Sequence, residues 1–412
     1  MEKSKATFNK YIKKLVAKKI ILRLIDVGLV PLALPLFCAR LMFNITFFRV
    51  HGGRIGHLAM NNEILLRKRQ LGREKGTRYI GIAHTSMCNQ QLVSMLKKKM
   101  RILQIPQPRF VRAMTKIMAT NSILSRQKLF VVLPHDLRDF QEFNTTAPSL
   151  AFTEAEQEKG KKLLQNLTVK DNWFICFHAR DQEYIGGLLK RGDSRYLYRN
   201  CDINNYLEAV EYVTKQGGYA LRMGAKVGKK LPPSNNSKII DYAASHRTEL
   251  GDIYLPANCR FFLGVNSGLT TIPYIFNVPV ALANLIPLTP VQEQHHFPPG
   301  RNDLFIPKKI WSKKLNRFLT FTEIIDFERK KFNFESEDYD QEDLVPVENT
   351  SQEIIALAVE MHERLQGTWK ETKEDRDLQE KFRSLFEFSD IQYKMPCRVG
   401  AAFLRENKFM LE

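Results

Sequence analysis

What the chain lacks narrows its class before any motif is read. Its six cysteines, Cys38, Cys88, Cys176, Cys201, Cys259 and Cys397, are far apart and show no paired spacing, and its nine histidines form no cluster beyond His295-His296. That argues against a disulfide scaffold and a zinc site, and suits reduced thiols in the cytoplasm. No short repeat or low-complexity run is present, so neither a solenoid nor a disordered tail fits. No Gly-x-Gly-x-x-Gly follows an expected strand, which disfavours a dinucleotide oxidoreductase. Gly264-Val265-Asn266-Ser267-Gly268 holds its serine one position off the nucleophile-elbow pattern, which disfavours a serine hydrolase. Acidic residues are scarce beside basic ones, 44 against 63, for a formal charge of +19. The excess favours a polyanionic partner, but no recognised nucleic-acid motif accompanies it, and nucleic acid is not expected.

What is present is apolar material enough for two cores: 412 residues, 44% hydrophobic, with 27 Phe and 13 Tyr spread along the length. Residues 1–42 form a basic, apolar segment. Met1 to Leu24 carries eight basic residues and one acidic, and Phe8, Tyr11, Ile12, Leu15 and Val16 fall on one helical face. The uncharged run Val27 to Ala39, interrupted by Pro31 and Pro35, has 13 residues. A spanning helix needs about 20. The segment reads either as an in-plane anchor on an anionic membrane surface or as a helix packed on the first domain. No small-x-small cleavage site follows it, so a secretory signal is a poor match.

The first domain is placed at 43–150. A β-rich run from Phe43 to Val50 leads through His51-Gly52-Gly53-Arg54-Ile55-Gly56-His57 into helical sequence, a strand, glycine turn and helix that offers backbone amides to an anion or a sugar hydroxyl. Two further apolar runs end at His84 and at Pro134-His135-Asp136. In an open parallel sheet, ligands bind beyond the carboxyl ends of the strands. His57 is preferred there because it alone follows a glycine turn.

The second domain is placed at 165–310, beyond a linker whose composition shifts around Asn144 to Lys170. Trp173 to Phe177 reads as a buried strand ending in His178-Ala179-Arg180-Asp181. A helix from Ile203 to Lys215 leads through Gly217-Gly218 into a second strand ending in Arg222-Met223-Gly224, and a third strand runs into Asn266-Ser267-Gly268. Arg180 and Arg222 are planar forks suited to phosphate, and the Ser-Gly turn adds amides and hydroxyls. The three strand ends are expected to converge on one diphosphate.

At these residues the sequence resembles a family of bacterial glycosyltransferases found with surface-polysaccharide genes. The matching stretches are Gly53 to Ala59, Phe177 to Asp181, Tyr198-Arg199-Asn200, Ile203 to Tyr206, Arg222 to Gly224, Ile253 to Cys259, Gly264 to Gly268 and Phe305 to Lys308. More distantly, the His-x-Arg strand end and the serine turn look like fucosyltransferases of the GT-B fold, although the family's continuation after the arginine is replaced here by Asp181-Gln182-Glu183. The resemblance implies two Rossmann-like α/β domains facing a cleft, the second holding a nucleotide-sugar donor and the first a glycan or lipid-linked acceptor. It implies Arg180 and Ser267 on the diphosphate, Arg222 and Asp241 near the nucleoside, and Asp181 orienting Arg180. His178, Arg180, Arg222, Gly224, Asp241, Asn266, Ser267 and Gly268 make the donor-side set. His57 and Asp181 are the candidates for the base.

The diphosphate can be stabilised by arginines and amides, so neither metal nor cofactor is expected. Asp338-Tyr339-Asp340 and Asp375-Arg376-Asp377 lie in charged sequence and read as solvated surface. Residues 311–412 are expected to be helical, with Trp311 to Phe327 poor in strand. Ile354, Leu357, Ala358, Met361 and Leu365 make an amphipathic face, and the tail is expected to return to the first domain. The enzyme is expected to transfer a hexosyl or deoxyhexosyl group at the inner face of the cytoplasmic membrane. The alternative is a catalytically inactive glycan- or nucleotide-binding protein of the same fold.

Overall fold

The computed structural model describes residues 40–73, 75–107, 130–133, 138–169, 173–181, 195–290, 296–331 and 335–412, with a few single positions between them. The basic and uncharged runs of the N-terminal segment and His135 lie outside the described residues.

Two parallel sheets carry the fold. In the first, β1 (Ile45–Arg49) pairs with β2 (Arg78–His84) on one side and β4 (Phe130–Val131) on the other, and β3 (Arg101–Ile105) lies outside β2. The chain steps outward from β1 to β3 and then returns to β4, so the carboxyl ends of β1 and β4 form a topological switch point, where a crevice opens. In the second sheet the order is β14-β10-β9-β8-β5-β6-β7, again parallel throughout. Its central strands are β5 (Phe174–Phe177), β6 (Tyr219–Arg222), β8 (Phe262–Val265) and β9 (Val280–Leu285), with β7 (Ile239–Ile240) at one edge and β10 (Leu304–Pro307) and β14 (Arg398–Val399) at the other. The four central strands are buried on both faces, which explains their unbroken apolar sequence. The chain reverses between β5 and β8, giving the second switch point. This is the expected GT-B-like α/β arrangement of two Rossmann-like domains.

The sheets are joined through helix α1 (Ile55–Gln70), which is buried at every position from Leu58 to Arg67. Such a helix has to satisfy its own polar groups. Arg67 and Glu63 pair at 2.7 Å with both side chains fully buried, and Arg67 also donates to the carbonyl of Ile275 at 2.8 Å. Ile275 ends helix α2 (Thr271–Ile275) of the second domain. The first domain's core continues into that domain, taking in Ile253, Ile272 and Ile275.

The C-terminal part departs from expectation. Trp311 to Phe327 was expected to be strand-poor, yet β11 (Lys309–Ser312) and β12 (Arg317–Phe318) join β13 (Leu344–Val347) in a small antiparallel sheet. Burial alternates along β11, but four residues are too few for a period of two to declare itself. Helix α3 (Ser351–Gln366) buries Ile354, Leu357, Ala358 and Met361 as the spacing predicts. It packs on α4 (Leu207–Lys215), β9 and β10. The tail therefore stays on the second domain, because β14 pairs with β10, whose edge would otherwise be open. The second Asp-x-Asp is not all surface: Asp375 is buried, closes the capping box of the helix Lys373–Arg383 and pairs with Arg405. In the first, Asp338 caps the helix Ser336–Gln341 and pairs with Lys331 at 2.9 Å, while Asp340 is exposed.

Candidate functional site

The two switch points face each other. Beyond β1 the chain runs through Arg54 to Gly56 and His57 at the first turn of α1, and beyond β4 it reaches Arg138; beyond β8 it turns through Asn266, Ser267 and Gly268 into α2. These residues, with Arg199, Tyr274 and His296, line one cavity of about 150 Å³. The halves touch at two glycines. A Cβ on Gly56 would lie 2.9 Å from the Cα of Gly268, and one on Gly268 would lie 3.2 Å from the amide nitrogen of Gly56. Both glycines are needed for this approach, which brings the N-terminal amides of the 16-residue α1 to the mouth of the Ser-Gly turn.

The second-domain wall is built around Arg199. Its Nη2 donates to the backbone carbonyl of Asn266 at 2.8 Å and to Asn266 Oδ1 at 3.1 Å, and its buried Nε has no hydrogen-bond partner. Asn266 is held in turn by its Nδ2 donating to Ile286. The segment carrying Arg199 is pinned from behind: Arg180 Nη1 donates to the Tyr196 carbonyl at 2.9 Å, and the buried Lys308 Nζ donates to the Asn200 carbonyl at 2.6 Å. Thr270 Oγ1 donates to the Val265 carbonyl at 2.6 Å, so the 3.2 Å contact with Ser267 has Ser267 as donor. Ser267 can donate to an anion only by breaking that contact.

The site is strongly cationic. Three arginines and two histidines line the cavity, and no described lining residue is an Asp or Glu. Burial lowers the pKa of Arg199. It draws that of Arg180 down to about 9, with the charge of Arg199 as the next cause. His296 is held well below the ordinary histidine value by burial and then by Arg199 and Arg138, so it is neutral near pH 7. Burying a cation is costly, and an incoming anion offsets that cost.

The expected residues divide. His57, Asn266, Ser267 and Gly268 line the cavity; Arg180, His178, Asp181, Arg222, Gly224 and Asp241 do not. Arg222 is buried and pairs with Asp241 at 3.1 Å, and the same carboxylate accepts from the Leu231 amide. Asp181 accepts from the amides of Glu183 and Gly228, so its carboxylate is engaged by backbone. His178 Nδ1 lies 3.0 Å from the Met223 carbonyl, which can only accept, so the proton is on Nδ1. Burial pulls the pKa of His178 down to about 4. Gly224 has φ +158, and a Cβ there would lie 2.7 Å from Val227.

Arg54, Arg138, Arg199 and His296 were not among the expected site residues. Arg54 and Arg199 lie inside the motifs that carried the resemblance, so a signal was present. Arg138 and His296 follow strand ends in different domains and meet only in the folded chain. Among the described residues no group of three or more His, Cys, Asp or Glu is placed to hold a metal ion, and no helix is long and apolar enough to cross a membrane.

No protein-family model and no curated protein sequence matches the chain. Among solved structures it is similar to a family 9 glycosyl transferase from Veillonella parvula, at 8% identity and a TM-score of 0.37 over 58% of this chain and 79% of that one. It is similar to the ADP-heptose lipopolysaccharide heptosyltransferase II of E. coli, at 11% identity and a TM-score of 0.37 over 57% and 84%. It is also similar to the wall teichoic acid polymerase TagF, at 10% identity and a TM-score of 0.29 over 86% and 99%. At these values none of them carries a residue assignment to this chain.

Proposed function

We propose that the chain is a glycosyltransferase that holds the diphosphate of a nucleotide-sugar donor in the cationic cavity and passes a hexosyl or deoxyhexosyl group to a surface glycan or lipid-linked acceptor. One observation carries the reading: two sheet switch points meet across a cavity lined by arginines, glycine backbone and a helix N-terminus, with no carboxylate among the described lining residues. When the sugar leaves, negative charge develops on the diphosphate. Arg54, Arg138 and Arg199 and the first amides of α1 are aimed where that charge develops, and their preorganisation lowers the barrier without a metal ion. The cavity takes the diphosphate, and the nucleoside extends along the edge beyond β5 and β6, past His178, Gly224 and the Arg222–Asp241 pair. The acceptor enters beside His57.

The chain works at the inner face of the cytoplasmic membrane on this reading, since Leu41, Met42 and Phe43 at the end of the basic segment are exposed. A thermal-shift screen of the full chain against nucleoside diphosphates and their sugars tests the assignment. A bound donor stabilises by mass action, by about 2.7 kcal/mol at one hundred times Kd. Stabilisation by one nucleoside series, followed by release of its diphosphate when acceptor is added, is expected. Binding without turnover favours the inactive binding protein, and no binding by any of them overturns both.

A further inference from the structure

We propose that His296 is the base of the transfer and that it becomes basic only when the diphosphate is seated. The proposal rests on the reading of the cavity given above. A single displacement at the anomeric carbon needs a group that takes the acceptor proton. Among the described lining residues, the imidazoles able to take that proton are His57 and His296. Asp181 does not line the cavity, and its carboxylate is engaged by the Glu183 and Gly228 amides.

His296 has the more telling surroundings. Arg138 donates to the carbonyl of the next residue, Phe297, at 2.9 Å, which fixes that guanidinium beside the histidine. Arg199 is held on the other wall by Asn266. Arg54 and His57, at the start of α1, complete the charged and titratable lining. In the free protein burial, and then the charges of Arg199 and Arg138, oppose protonation of the ring, so the imidazole is neutral but a weak base. A diphosphate reverses the sign of that field. The ring then gains basicity in the complex that contains something to transfer.

In the step itself, the acceptor hydroxyl proton passes to the unprotonated ring nitrogen of His296 as the acceptor oxygen bonds to the anomeric carbon. The bond from that carbon to the diphosphate oxygen breaks, and its electron pair leaves on the diphosphate. The imidazolium formed is paired with the departing anion and loses its proton to solvent when the diphosphate leaves.

The test uses the full chain labelled at histidine, followed by NMR from pH 5 to 8 with and without saturating inorganic pyrophosphate, with His296→Gln to identify the resonance. The free ring is expected to stay neutral across that range, and pyrophosphate is expected to raise its pKa far enough to bring its titration into the range. Calorimetry of pyrophosphate on the wild-type chain runs alongside. Binding with no rise at His296 overturns this inference and leaves the cavity reading standing. An ordinary histidine titration in the free chain also overturns it. No pyrophosphate binding overturns the cavity reading and the inference together. Should His296→Gln fold poorly, His57→Gln identifies the second lining histidine, and His296 is then assigned by sequential backbone connectivity to Phe297.

Discussion

Two stretches of the second sheet's carboxyl edge look alike in sequence and behave differently in the fold. Beyond β6 and β7, Arg222 meets Asp241 and the charges cancel. Beyond β5 and β8, Arg199 meets the backbone and side-chain oxygens of Asn266, Arg54 and Arg138 close in from the first domain, and no carboxylate is among the described lining residues. A strand-end arginine is therefore not an anion site in itself. What decides is whether the fold supplies the counter-charge or leaves it to a ligand.

The contrast can be broken experimentally. Arg199→Ala is expected to have the largest effect, weakening diphosphate binding roughly 10- to 150-fold by calorimetry, since a charge-assisted hydrogen bond carries about 1.5–3 kcal/mol. Its circular dichroism should match the wild type. Gly268→Val forces side-chain atoms into the backbone of Gly56 and is expected to cost about 1–3 kcal/mol in urea unfolding. It should also abolish diphosphate binding, because the two walls can no longer meet. Arg222→Ala is expected to act the other way round, on folding and not on the anion. It leaves a carboxylate that is 19% exposed without its partner, for a loss of about 1–3 kcal/mol with diphosphate affinity within about twofold of wild type. A large loss of affinity in that variant would erase the distinction between the two stretches.

A further prediction concerns pH. His178 has a folded pKa of about 4 against an ordinary 6.5, so folding favours its neutral form. Its contribution to stability is present above pH 6.5 and is lost as the pH falls toward 4. Urea midpoints should decline over that interval, and His178→Asn should flatten the decline.

Much of the frame could be read from residue order. The turn His51 to His57, the buried strand Trp173 to Phe177 and the Asn266-Ser267-Gly268 turn each announce a strand end, and each stands where the periodicity put it. Arg180 shows where that reasoning stops. A fork just past a buried strand suits phosphate, but here it turns to the Tyr196 carbonyl and braces the segment that presents Arg199. Only the path of the chain between those residues decides which arginine faces the cavity. Arg138 and His296 belong to different domains, and no local pattern brings them together. Likewise β14 was hidden, since two residues pair with β10 only after most of the second sheet is built.

The most direct measurement is a crystal structure of the full chain soaked with a nucleoside diphosphate. The expected result is a diphosphate between the first turn of α1 and the Ser267-Gly268 turn, with Arg54, Arg138 and Arg199 on its oxygens and the Arg222–Asp241 pair unbroken. A diphosphate bound to Arg222 with Asp241 displaced, or one bound away from both glycines, would contradict the account.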